Sequence, residues 1–210
     1  MSSKTNEKLS KTMCYLLRHG AEKEGITMNG DGFVDINNLL EHKDMKQFSV
    51  KQIIKVVEKC PKQRFFINIQ RNSKGKEEIF IRANQGHSIE NVKIDMSEIL
   101  VNTPSLEEYK NNVYHGTYYK CWDKIKEEGL SRMNRQHIHF AIIGSINESG
   151  MRHNCQIKIF INIENALKDG IKFYKSSNNV ILSPGNDNGY LLPKYFDKVI
   201  DIKTREQLLL

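Results

Sequence analysis

No apolar run in this 210-residue chain approaches the roughly 18 residues a membrane-spanning helix needs, so no membrane span is expected. The stretch Met1 to Lys8 has no apolar signal core, so an intracellular protein is expected, cytoplasmic before nuclear. Cys14, Cys60, Cys121 and Cys155 are scattered with no C-x-x-C pair, which argues against a zinc site and a disulfide framework. Cys14, within an amphipathic run, reads as a small core residue. No G-x-G-x-x-G follows a strand-like run and no G-x-x-x-x-G-K-[ST] occurs, so a Rossmann site and a P-loop are both disfavoured. H-E-x-x-H is missing too. His137 and His139 could share one face of a strand, but no acidic or thiol partner stands at ligand spacing, and no metal site is expected.

What is present fits a globular protein. Hydrophobic residues make up 39% and charged residues 27%, enough for one large domain or two small ones. The net charge of +7 favours an anionic partner such as nucleic acid or a nucleotide.

The N-terminal part reads as three helices and a hairpin. Leu9, Met13, Leu16 and Leu17 recur at helical spacing, with Gly20 as the expected stop, so this helix ends by presenting Arg18 and His19. A cation at a helix C-terminus gains about 0.3–1 kcal/mol from the macrodipole, which is one reading of that pair. After the Gly30-Asp31-Gly32 turn, Asp35 can cap a short helix through Leu39 and Leu40. Ser49 and Gln52 fit a capping box before Ile53, Ile54, Val56 and Val57, and Pro61 closes that helix. Arg64 to Ile69 and Ile79 to Arg82 flank the polar turn Asn72 to Lys76 and read as a hairpin. This is the order of a winged-helix module. Ala83 to Ser88 is too polar for a core strand, so it is either a surface loop or a segment that meets a ligand. Residues 90–111, polar and weakly periodic, read as a connection between two lobes.

The second part opens with Val113 to Thr117, a strand running into a glycine turn. A helix carrying Trp122, Ile125 and Lys126 stops at Gly129. Strands are expected at His137 to Ala141, Gln156 to Ile163, Lys172 to Tyr174, Asn179 to Ser183 and Lys198 to Ile202. Asn186 to Gly189 reads as a turn. Many short strands with one or two helices argue for a compact α+β lobe.

Basic residues recur in polar turns beside glycine and histidine. They occur at Arg18-His19, Lys62-Gln63-Arg64, Arg82 to His87, Arg132 to His137 and Ser149-Gly150-Met151-Arg152. Arginine is suited to bidentate phosphate recognition, and several converging in a cleft would form a phosphate cradle.

These stretches, with Leu9 to His19, Asp31 to Val34, Lys62 to Phe65, Asn84 to Ser88, His115-Gly116-Thr117, Asn134 to His139 and Asn178 to Leu182, resemble the RNA 2′-phosphotransferase family of tRNA splicing. The resemblance runs in order from about residue 9 to about residue 200. It implies an α+β protein with a winged-helix-like lobe at residues 1–92 that binds RNA and phosphate. An ADP-ribosyltransferase-like, NAD-binding lobe at residues 93–210 would follow. It further implies removal of an internal RNA 2′-phosphate to NAD⁺, giving 2′-hydroxyl RNA, nicotinamide and ADP-ribose 1″,2″-cyclic phosphate. By position in the family's motifs, the catalytic set is Arg18, His19, Arg64 and Arg135. His115, Gly116 and Thr117 would hold NAD⁺, with Ser149, Gly150 and Arg152 lining the same pocket. RNA and NAD are the expected partners of a monomer.

The residues agree with such chemistry. A phosphate monoester, with a second pKa of about 6, is mostly dianionic at neutral pH and needs aiming more than activation. Asn179-Val180-Ile181-Leu182 offers no carboxylate, where many ADP-ribosyltransferases carry a glutamate that would repel an incoming phosphate. Two other readings differ in class. One is an ADP-ribosyltransferase acting on another acceptor, such as a terminal phosphate. The other is a non-enzymatic winged-helix nucleic-acid-binding protein. Arg82 is placed outside the catalytic set, as a candidate contact to the RNA backbone.

Overall fold

A computed structural model describes residues 3–94, 96–99, 104–145, 151 and 154–208. The architecture is mixed α+β, in two compact units, Met1–Asp95 and Met96–Leu210. Among the described residues no helix is long and apolar enough to cross a membrane.

In the first unit, α1 (Ser3–Tyr15) runs into a π-helical turn at Leu16–Gly20. Leu9, Met13, Leu16 and Leu17 are fully buried on its inner face. Each such side chain contributes about 1.5–3 kcal/mol by leaving water. Gly20 is not the expected stop. Helical backbone continues through Ala21, and the left-handed residue is Gly25 at φ 71°. There Ile26 N–H bonds Ala21 O at 2.8 Å and Gly25 N–H bonds Glu22 O at 3.2 Å, the two bonds of a Schellman cap. Gly20 instead leaves room for the exposed Tyr15 ring to lie against the turn, since a Cβ there would lie 2.8 Å from that ring.

A short β1 (Val34–Asp35) precedes α2 (Ile36–Glu41), which Asp35 caps by accepting from Asn37 N at 2.7 Å and Asn38 N at 3.2 Å. Next, α3 (Val50–Glu58) opens on the Ser49–Gln52 capping box. Strands β2 (Phe65–Arg71) and β3 (Glu77–Ala83) form the hairpin in the register Phe65↔Ala83 to Arg71↔Glu77. β1 adds to β3, giving the sheet order β1-β3-β2. Phe65, Ile81 and Ala83 alternate inward onto the α1–α3 core. Cys14 is half-buried at the margin of this core and not within it.

Residues 90–111, read as a mere connection, contain two elements of the second unit. They are β4 (Ser97–Ile99) and α4 (Pro104–Tyr109), the latter starting on the proline that suits a first helical position. After them come β5 (Val113–Thr117), α5 (Tyr119–Glu128), β6 (Leu130–Ser131) and β7 (Ile138–Ile142). Gly129, at φ 93°, stops α5, and a Cβ there would strike the Leu191 carbonyl. The remaining elements are β8 (Ile157–Ile161), α6 (Ile163–Lys168), β9 (Phe173–Lys175), β10 (Ile181–Ser183), β11 (Tyr190–Leu191) and β12 (Phe196–Asp201). The strand expected to reach Ile163 stops at Ile161, because the Asn162 side chain accepts from Asn165 N at 3.0 Å and starts α6. The large sheet has the order β12-β8-β5-β7-β10-β9-β4, antiparallel at every pairing, while β6 and β11 form a separate ribbon. All five residues of β7 are buried, and Ile157, Ile159, Phe140 and Phe173 lie at the centre of the core.

Candidate active site

The π-turn sets Arg18 and His19 side by side, with Arg18 partly buried and His19 exposed. Such turns are rare and recur at functional sites, since the widened turn re-aims its side chains. The segment that fixes this one is residues 84–88. Ser88 N–H donates to the Arg18 carbonyl at 2.9 Å, and Ser88 Oγ hydrogen-bonds His19 Nδ1 at 2.9 Å. Gly86, at φ 89°, brings its backbone against the Arg18 guanidinium, where a Cβ would sit 3.5 Å away. The same segment reaches Arg64: Asn84 N–H bonds the Arg64 carbonyl at 2.9 Å, and Asn84 Nδ2 donates to the Gln63 carbonyl at 2.6 Å.

Arg64 Nη1 donates to Cys60 Sγ at 3.4 Å. Burial pushes the Cys14 thiol above its ordinary pKa, while the Arg18 and Arg64 guanidiniums both pull it down. Both cations therefore lie within electrostatic reach of that one sulfur. The structure thus brings Arg18, His19 and Arg64 together in the first unit. Residues 84–88 are not a surface loop, for Asn84, Gly86 and His87 are buried. Arg82 is engaged elsewhere. Its guanidinium lies 4.7 Å from the Phe33 ring centre and 5.6 Å from that of Phe66, and it donates to Asp31 O at 3.3 Å.

In the second unit, His115, Gly116 and Thr117 lie along β5. His115 Nδ1 donates to the His139 carbonyl at 2.9 Å, which fixes the ring's tautomer, since a carbonyl can only accept. Gly116 must be glycine: a Cβ would lie 2.6 Å from Met151 Cγ and 2.9 Å from Cys155 Sγ. Thr117 is buried and accepts from Gln156 N–H at 2.8 Å. Ser149, Gly150 and Arg152 lie outside the described residues.

Arg135 is exposed on the turn that leads into β7. Arg132 shapes that turn: its carbonyl accepts from Arg135 N–H at 3.1 Å, and its Nη1 donates to the Arg135 carbonyl at 2.8 Å. Arg132 N–H in turn bonds the Gly189 carbonyl, and a Cβ at Gly189 would collide with the Arg132 side chain. The turn Asn186 to Gly189 therefore braces the Arg135 turn. His137, pushed down to about pKa 4 by burial and by Arg132, is neutral at physiological pH and packs edge-on against Tyr174. No group of three His, Cys, Asp or Glu that could hold a metal occurs among the described residues.

Residues 4–185 match the family described as RNA 2′-phosphotransferase, Tpt1 / KptA family. The chain belongs to that family. It is 42% identical to a tRNA 2′-phosphotransferase 1 of Danio rerio over 200 residues, covering 93% of this chain and 86% of the relative. A tRNA 2′-phosphotransferase of Saccharomyces cerevisiae is 35% identical, over 86% of this chain and 79% of its own. A probable RNA 2′-phosphotransferase of Flavobacterium johnsoniae is 33% identical, over 87% and 93%.

Within this family member, two supporting features are not legible in the sequence. One is the seating of Arg18, His19 and Arg64 by Asn84, Gly86 and Ser88, and the other is the bracing of Arg135 by Arg132 and Gly189. The repeated Arg-plus-glycine turns were the only local hint of either.

Proposed function

We propose that this chain is an NAD-dependent RNA 2′-phosphotransferase that releases an internal 2′-phosphate, as at a ligated tRNA splice junction. The observation that carries the reading is the Arg18–His19 π-turn seated by residues 84–88, with Arg64 tied to the same segment, in a chain of this family. NAD⁺ is the second substrate. Its nicotinamide-bearing ribose carbon accepts a phosphate oxygen as nicotinamide leaves, and its 2″-hydroxyl then attacks phosphorus and releases the RNA oxygen. The products are 2′-hydroxyl RNA, nicotinamide and ADP-ribose 1″,2″-cyclic phosphate.

The first unit, residues 1–92 in this reading, is a winged-helix-like lobe. Its order of helix, short strand, two helices and hairpin supports that assignment. Arg18 and Arg64 neutralise and aim the phosphate dianion, and no base is needed to make it a nucleophile. His19 protonates the departing RNA 2′-oxygen in the second step. The second unit, residues 93–210, is an ADP-ribosyltransferase-like lobe that binds NAD⁺. The chemistry of its polar groups suits a dinucleotide. With Nδ1 donating to a carbonyl, His115 can offer Nε2 as an acceptor for a ribose hydroxyl, and Ser149, Gly150 and Arg152 supply donors for phosphate oxygens. The absence of a carboxylate in Asn179 to Leu182 supports an acceptor that arrives already anionic.

Arg135 stabilises the charge that builds on phosphorus in the second step, so Arg135→Ala accumulates RNA joined through its phosphate to ADP-ribose. Loss of both steps with no such species refutes that role. The reading as a whole is tested with NAD⁺ and a short RNA bearing one internal 2′-phosphate. Release of the phosphate as a cyclic ADP-ribose phosphate is the expected result. ADP-ribose left on an RNA terminus would identify a different transferase, and no NAD⁺ consumption would identify a binding protein.

A further inference from the structure

The outer face of the β1-β3-β2 sheet is aromatic where alternation calls for polar side chains. In a sheet of this kind one face packs on the core and the other meets water, giving apolar-in and polar-out positions. Phe65, Ile81 and Ala83 point inward, so Phe66, Phe80 and Arg82 share the outer face. Phe33 joins them from the turn before β1, which the Asn29 side chain fixes by accepting from Asp31 N–H at 3.1 Å and Phe33 N–H at 2.8 Å. These three phenylalanines stand outside the α1–α3 core, and Phe66 is 46% exposed. Phe33 and Phe66 meet edge to face at 6.1 Å. Arg82, directly opposite Phe66 in the hairpin, lies nearer the Phe33 ring, at 4.7 Å against 5.6 Å, so the Phe66 ring keeps an open side. Among the described residues Arg82 makes no ion pair: its guanidinium is held by rings and by the Asp31 carbonyl. The carboxylates on this face, Asp35 and Glu78, are engaged by the start of α2 and by Asn72 Nδ2. An exposed ring beside an uncompensated guanidinium is the kind of surface on which unpaired RNA bases stack.

Both strands of the hairpin lead from this face to the arginines. β2 begins at the residue after Arg64, and Asn84, which bonds the Arg64 carbonyl, directly follows β3. Phe66 and Arg82 are each two residues from that junction, about 7 Å along a strand. An internal 2′-phosphate has a nucleotide on either side, so a strand gripped by Arg18 and Arg64 brings a neighbouring nucleotide within reach of this face. We propose that Phe66 and the Arg82 guanidinium form a stacking platform for the base of a nucleotide next to the one that carries the 2′-phosphate. Stacking uses the π face that every base has, so the platform takes any of the four bases. The inference rests on the RNA 2′-phosphotransferase reading.

The test uses the full chain and fluorescent RNA trimers with a central 2′-phosphate, one intact and two lacking either the 5′ or the 3′ neighbouring base. Anisotropy follows binding, and phosphate release is measured separately. Removing one of those two bases is expected to weaken binding about five- to thirtyfold, the worth of one stacked base. Phe66→Ala weakens binding of the intact trimer by a similar factor and adds nothing on the trimer that lacks that base. Phe66→Tyr keeps a ring and binds as the wild type does; a loss there as large as in Phe66→Ala overturns the stacking. Because the platform touches no reacting atom, Phe66→Ala raises KM for the RNA and leaves kcat unchanged. In Phe66→Trp the added indole fluorescence is quenched by the intact trimer and not by the abasic one, a difference absent from wild type, which has Trp122 alone. Equal weakening on all three RNAs overturns the platform. No weakening on any of them does so too, and would leave the face to a protein partner. Base-dependent binding without phosphate release would refute the enzymatic reading and leave the platform standing. Phosphate release with base-independent binding would do the reverse.

Discussion

Ser88 offers the cleanest test of how the first unit holds its histidine. Its hydroxyl bonds His19 Nδ1 at 2.9 Å, while its main-chain N–H separately bonds the Arg18 carbonyl at 2.9 Å. Ser88→Ala removes the first contact and keeps the second, so residues 84–88 stay docked and only the imidazole loses its orientation. A hydrogen bond of this kind contributes about 0.5–1.5 kcal/mol net, and about 1.36 kcal/mol is tenfold in rate. The expected loss in kcat is therefore about two- to tenfold, with KM for the phosphorylated RNA nearly unchanged, because under the proposed function Arg18 and Arg64 still grip the phosphate. Melting temperature should move little, since the serine is only half-buried. Ser88→Thr restores the hydroxyl and should recover most of the rate. Steady-state kinetics at saturating NAD⁺ on a 2′-phosphorylated trimer measures all of this. An unchanged kcat in Ser88→Ala, or a fall that threonine does not rescue, refutes the claim that this bond positions His19.

Two further predictions concern the second unit. Gly116→Ala places a methyl 2.6 Å from Met151 Cγ, an overpacking expected to destabilise by about 1–3 kcal/mol in urea titrations, and Met151→Ala in the same chain should recover part of it. His137 titrates at about 4 when folded, against 6.5 for an unperturbed histidine, so protons bind the unfolded chain more tightly. Its contribution to stability is present above pH 6.5 and is lost as pH falls toward 4. Wild type should therefore lose about 1–2 kcal/mol more than His137→Phe between about pH 7 and pH 5, and equal losses would show that His137 is not the group responsible.

Local chemistry was legible where the physics is local. Asp35, Ser49 with Gln52, and Gly129 announce their caps within three or four residues, and each is found doing that job. The hairpin likewise declares itself through alternation and a polar turn. Gly20 shows the limit of such reading. A glycine after a helical stripe resembles a stop, yet here Gly20 only gives the Tyr15 ring room against the turn, and Gly25 does the stopping. The three-residue β4 is too short to show a period and is defined only by pairing with β9, some 75 residues on. Residues 84–88 were ambiguous for the same reason. Their polarity looked like solvent exposure, but the partners that bury them are Arg18 and His19, 69 residues away at the Ser88–His19 bond.

That long-range contact also explains the mixture of residues in the segment. A phosphate grip needs guanidiniums held in place without being neutralised, and a carboxylate partner would fix an arginine at the expense of the charge the substrate requires. Here Arg18 and Arg64 are seated through their main-chain carbonyls, by Ser88 N–H and Asn84 N–H. Main-chain seating constrains where each side chain starts while adding no negative charge. Glycine at 86 lets the backbone approach the Arg18 guanidinium at a left-handed φ that other residues adopt only with strain. Under the proposed function, the polar, glycine-containing character of residues 84–88 suits the positioning of two cations for an anion.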